Sequence, residues 1–160
     1  MNQNEYWRFY QSGQFLHLFS VREITEERWR TKLRRRLPAD SDVPGVFSIL
    51  NFLYTVTEIF EFSTRLCEKE FYRNDVTVSI ELKNVKGFIL SEEDGFLPRR
   101  NGAGESDLGK TWALHARNLL AGSKDYSLAA VGWFFERFGW LNPPLDALKK
   151  DQERFLKGLI

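Results

Sequence analysis

Gly104, Gly109, Lys110 and Thr111 stand in the spacing G-x-x-x-x-G-K-T. In a phosphate-binding loop of that pattern, backbone amides turn inward to cradle phosphates and the lysine neutralises them. Such a loop needs a buried strand leading in and a helix leading out. The lead-in here is DGFLPRRNGA, with a proline and two arginines and no apolar strand. Glu105 and Asp107 inside the loop would repel a polyphosphate. No acid closing an apolar strand follows to hold magnesium. The sequence therefore favours an ordinary loop over residues 92–110, with nucleotide hydrolysis at Lys110 and Thr111 as a lesser alternative.

A second stretch, DVTVSIELK, resembles a metal-nuclease pattern, in which an acid and a Glu-x-Lys pair hold a metal and activate water. Asp75, Glu81 and Lys83 are its candidates. Asp75 and Glu81 share a strand face, but six residues of strand separate them by roughly 20 Å. One ion with oxygen ligands at about 2–2.5 Å cannot bridge that gap. Glu58 or Glu61, from a helix, could join Glu81 instead. The plainer expectation is that Glu81 and Lys83 form the solvated face of a strand.

The third stretch, RWRTKLRRR, concentrates Arg28, Arg30, Lys32, Arg34, Arg35 and Arg36 around Trp29. The whole chain carries a net charge of only +1, so the remainder sums to −5. Clustered cations beside a stacking aromatic can grip a nucleic-acid backbone. Glu23, Glu26 and Glu27 partly offset them. The competing reading is a solvated loop or helix face.

The remaining reactive side chains do not converge. His17 lies between Phe15 and Phe19, where packing suits it better than metal ligation. His115 is the only other histidine and Cys67 the only cysteine, so no zinc spacing exists. No G-x-S-x-G elbow anchors a serine nucleophile. Cys67 reads as a small buried hydrophobe in a helix. No catalytic residue, metal or cofactor is assigned.

The elements that must position these residues follow from patterning. WRFYQSGQFLHLFSVRE predicts a hairpin turning at Ser12-Gly13. Both faces of its second strand are apolar, which predicts cover on both sides. Residues 25–45 are expected to be a loop, with a short helical turn near Glu26–Arg36 and Pro44 opening a helix. That long helix, from about Val46 to Tyr72, is expected to be largely buried. VTVSIELKNVKGFILSE alternates as a half-buried strand with a return strand ending near Ser91. TWALHARNLL is read as a strand, with a helix as the alternative. DYSLAAVGWFFERFGW is read as a helix capped by Ser123 or Asp125, ending in a left-handed turn at Gly139 with Trp140 packing back. A last helix opens after Asn142 and the prolines, with Leu145, Leu148, Phe155 and Leu159 on one stripe. The expected fold is a single α+β domain over 1–160. An antiparallel sheet of about five strands, in the order ββαβββαα, packs against the long helix and two C-terminal helices.

At 160 residues the chain can bury a real core without disulfide staples. Its 14 Phe, 5 Tyr and 5 Trp exceed what one small core needs, so some aromatics are expected at an interface. A lone cysteine suits a reducing cytoplasm. The start MNQNEYWRFYQ has no secretory pattern, and VFSILNFLYTVTEIFEF reaches Glu58 and Glu61 before it could span a membrane.

Four stretches, FYQSGQFLHLF, YTVTEIFEFSTRL, VTVSIELKN and FERFGWLNPP, together resemble the C-terminal accessory region of bacterial proteins that carry a Schlafen AlbA-type DNA-binding domain. The resemblance implies a cytoplasmic bacterial setting near nucleic acid and hands over no catalytic residue. The AlbA-type domain itself is not in this sequence. The function expected is a non-catalytic interaction or oligomerisation module. Its hairpin, sheet edge or last helix would bind another subunit or domain, a homodimer included. The alternatives are a nucleic-acid binding domain led by residues 28–36, and an enzyme at one of the two motifs above.

Overall fold

Ser48 starts the element on which the rest is laid. Its side chain accepts a hydrogen bond from the Asn51 amide at 3.2 Å, capping a helix over Ile49–Glu68. In this computed structural model residues 5–21, 31, 43–91 and 102–159 are described. Their elements run β1 (Glu5–Phe9), β2 (Phe15–Phe19), β3 (Val46–Ser48), α1 (Ile49–Glu68), β4 (Asp75–Leu82), β5 (Ile89–Ser91), β6 (Leu108–His115), α2 (Ala116–Arg137) and α3 (Leu145–Leu156). The fold is α+β. No helix among the described residues is long and apolar enough to cross a membrane.

Along α1, Ile49, Phe52, Leu53, Val56, Thr57, Phe60, Thr64 and Cys67 are buried, at the three- and four-residue spacing that makes one face. The two buried threonines are accommodated because their hydroxyls donate to the Leu53 and Phe60 carbonyls, both at 2.8 Å. The helix begins three residues later than its apolar run suggests. Val46, Phe47 and Ser48 instead form β3, and Pro44 precedes that strand rather than a helix.

Glu68 closes the helix. The Glu70 amide bonds the Cys67 carbonyl and the Phe71 amide bonds the Leu66 carbonyl, the paired bonds of a Schellman turn. Glu70 sits at φ +60°, in the left-handed region. At the end of α2 the same position is Gly139, at φ +78°, and Trp140 stacks back on Phe135 at 5.4 Å as its pattern predicts. Glycine is therefore expected to improve the first turn. Glu70→Gly should raise stability by about 0.5–1 kcal/mol, since a left-handed L-residue is strained and glycine's unfolded-state entropy only partly offsets the relief. The shift would be read by thermal melting; an unchanged or lower midpoint contradicts it.

The single five-stranded sheet expected from the sequence is replaced by three two-stranded sheets among the described residues. β1 and β2 are antiparallel, as are β4 and β6; β3 and β5 are parallel. The segment after β4 does not return along it. It crosses to β3, with Phe88 seated against Gly45, where a Cβ would lie 2.4 Å from the ring. β4 instead pairs over eight residues with β6, which starts at Leu108, inside the stretch expected to be loop, and ends at His115. α2 follows at once. Its cap is the His115 ring, which accepts from the Arg117 amide at 3.2 Å, and not Ser123 or Asp125. Gly122 leaves helical geometry at φ −143° and ψ 27° and kinks α2, so the helix start read from the sequence coincides with this break.

The core is aromatic. Phe52 meets Phe134 at 5.4 Å and Phe135 at 5.6 Å across α1 and α2, and Phe60 meets Trp112 of β6 at 5.7 Å. α3 adds Leu148 and Gln152 to the core, and Phe155 stacks on Tyr54 at 4.4 Å. Its expected stripe is only half right: Leu145 is partly exposed, and Leu159 lies beyond the helix and is exposed.

Candidate interaction surface

The hairpin turns where the sequence places it. Gly13 adopts φ +85°, its amide donates to the Tyr10 carbonyl at 2.9 Å, and the Tyr10 amide donates to the Gln14 carbonyl at 2.8 Å. Its two strands register Glu5 with Phe19, Trp7 with His17 and Phe9 with Phe15 on one face. Tyr6 with Leu18 and Arg8 with Leu16 fill the other. The ribbon docks on the end of α1. Tyr72 donates its hydroxyl to the Gly13 carbonyl, Phe15 packs on Phe62 at 4.7 Å, and Phe9 meets Phe71 edge-on at 6.0 Å. Burial raises the Tyr72 hydroxyl pKa, with a smaller contribution from Cys67.

Cover on both sides does not follow. Every residue of β1 is exposed, and β2 is half-buried only at Phe15 and Leu16. Trp7 is 67% and Phe71 63% exposed, with Tyr6, Phe9, Leu18, Phe19 and Phe62 also open. At roughly 150–250 Å² per large aromatic, these fractions leave on the order of 700 Å² of apolar surface around one ribbon and one helix end. Single surface hydrophobes are ordinary; these gather on the two faces of one ribbon and at the adjoining helix end. Polar contacts orient the ribbon without closing it. His17 pairs with Glu5 at 2.9 Å, and the Arg8 guanidinium lies 4.8 Å from the Tyr10 ring centroid. The patch draws on Phe71, which the sequence hid by continuing the helix through Tyr72.

The phosphate-loop pattern falls on a different geometry. Gly109, Lys110 and Thr111 lie within β6, opposite Glu81, Ile80 and Ser79 of β4, and Gly104 lies six residues before Lys110 in the segment leading to that strand. An extended strand paired to its neighbour alternates its amides from side to side and cannot gather them on one phosphate. Lys110 points inward, 5.4 and 5.1 Å from the ring centroids of Trp112 and Trp133; Arg137 lies 3.6 Å from the latter. The Thr111 and Ser79 hydroxyls bond one another at 2.7 Å. Millimolar Mg-ATP is expected to leave the thermal midpoint unchanged. A rise that Lys110→Ala abolishes would contradict this.

The nuclease candidates are also apart. Asp75 pairs with His115 at one end of the β4–β6 ribbon and Glu81 with Gly109 near the other. Lys83 bridges Glu81 at 3.0 Å and Asp107 at 3.4 Å, all three exposed. Its hydrogen bond to Glu81, then that to Asp107, raises the Lys83 pKa, and the Asn84 amide holds Asp107 below the usual carboxylate range. Glu61 accepts from the Ser123 hydroxyl at 2.5 Å, between α1 and α2. Among the described residues no three His, Cys, Asp or Glu side chains are placed to hold a metal. Cys67 is buried and its thiol pKa is raised by that burial, which suppresses the nucleophilic thiolate. Arg28, Trp29, Arg30, Lys32, Arg34, Arg35 and Arg36 lie outside the described residues.

No family model, curated protein or solved structure matches the chain.

Proposed function

We propose that this chain is a non-catalytic interaction module that docks through the β1–β2 hairpin and the adjoining end of α1. The observation carrying the proposal is the exposure of Trp7, on a ribbon with apolar side chains on both faces, and of Phe71 just past the end of α1. A hairpin of two strands is marginal by itself in water and gains most when a third element covers it. The stretches that resemble the accessory region of Schlafen AlbA-type bacterial proteins fall on the hairpin, α1, β4 and the end of α2. That supports a cytoplasmic role beside such proteins, with another subunit or domain as the ligand and nucleic acid nearby.

The double variant Trp7→Ser/Phe71→Ser tests the reading. In an extract of source cells, the natural chain should migrate in a complex larger than one copy and the variant as a single folded copy. Identical migration of the two, with the fold verified by circular dichroism, contradicts it.

A further inference from the structure

We infer that the ligand of this surface is a second copy of the chain, joined through the outer edge of β1 about a two-fold axis at Trp7. The inference rests on the docking reading above and names its partner. The Tyr10 amide and carbonyl both bond the turn and β2 side of the hairpin. Antiparallel ladders alternate, so Arg8 and Tyr6 also turn their backbone groups toward β2, while Glu5, Trp7 and Phe9 turn theirs outward. That outer row has no partner strand among the described residues. β1 is short and carries Glu5 and Arg8, but it has no proline, no lysine and no bulge to blunt its outer edge. The β2 edge is the less open of the two, since Phe15 and Leu16 are half-buried where the ribbon meets α1.

The parity of an antiparallel pair allows an outward residue to face only another outward residue. An axis through Trp7 satisfies this along the whole strand. Trp7 meets the partner's Trp7, Glu5 meets the partner's Phe9, and Arg8 meets the partner's Tyr6. Aromatic pairs and cation-on-ring pairs are favourable across strands, and no like charges meet at the seam. Arg8, already over its own Tyr10, would lie between two tyrosine rings. The result is a four-stranded sheet, and an isologous contact of this kind closes on itself and does not propagate into a fibre.

Sedimentation equilibrium and cysteine trapping test the inference together. The purified chain should sediment at twice its 18.8 kDa mass. Trp7→Cys should form an intermolecular disulfide under mild oxidation, because directly opposed hydrogen-bonded residues lie about 5.5 Å apart, within disulfide reach. Glu5→Cys should not link to itself, since its own counterpart lies four residues along the seam. Trp7→Pro, which removes an outward amide and the central ring, should weaken the dimer by on the order of 30-fold or more. A monomer up to about 100 μM, where a dimer of micromolar Kd would be mostly assembled, overturns the inference. So does a dimer in which position 5 links and position 7 does not. A monomeric purified chain that still enters a larger complex in extract leaves the docking reading standing, so the two failures are separable.

Discussion

Gln152→Glu is expected to destabilise the fold by on the order of 3–5 kcal/mol at neutral pH and above. Gln152 is 1% exposed and lies where α3 meets α1 and α2. Its amide nitrogen donates to Thr57 Oγ1 at 3.1 Å, Ser127 Oγ at 2.8 Å and the Lys124 carbonyl at 3.2 Å. Both hydroxyls already give their protons to backbone carbonyls, at Leu53 and Lys124. They are acceptors here, and a carboxylate would meet oxygen lone pairs on every side. The other amide atom, Oε1, is buried without a partner and offers no compensating donor. Burial would hold the new carboxyl above its unfolded pKa. The penalty is therefore full at high pH and falls as pH drops toward the unfolded value. Urea unfolding at roughly pH 8 and roughly pH 5 should show a wider gap from the natural chain at the higher pH. Gln152→Met, close in volume and free of the unpaired oxygen, should cost less than about 1.5 kcal/mol. Equal stability of the glutamate variant at both pH values contradicts the network.

Phe134→Ala should cost a comparable amount, on the order of 3–5 kcal/mol, by leaving a cavity at a fully buried site. Phe134 is 0% exposed and joins α2 to two other elements, meeting Phe52 of α1 at 5.4 Å and Trp112 of β6 at 6.4 Å, with its neighbour Trp133 at 4.9 Å. Phe71→Ser, at 63% exposure, should cost under about 1 kcal/mol in the isolated chain. The contrast separates aromatics that build the core from those left for a partner. Chemical unfolding of both variants checks it, and near-equal losses would show Phe71 to be core.

The hairpin, the buried central helix and the Gly139 stop follow from local rules, because each depends on neighbours in sequence. Sheet partners do not. β5 pairs with β3 across 43 residues and β6 with β4 across 26 to 40, and an alternating strand carries no label for its mate. Local signals also mislead where a tertiary contact overrides them. Ser123 reads as a cap but bonds Glu61. Gln152 looks like surface within α3 until Thr57 and Ser127 surround it. The surplus of aromatics was visible in composition alone. Which of them reach solvent depended on how the ribbon seats on α1.

A photo-crosslinking residue placed at position 7, with a control at position 77 on the outer face of β4, tests the docking surface most directly. A protein adduct is expected at position 7 in source cells and none at position 77, although both sites are exposed. No adduct at position 7, or equal adducts at both positions, would contradict it.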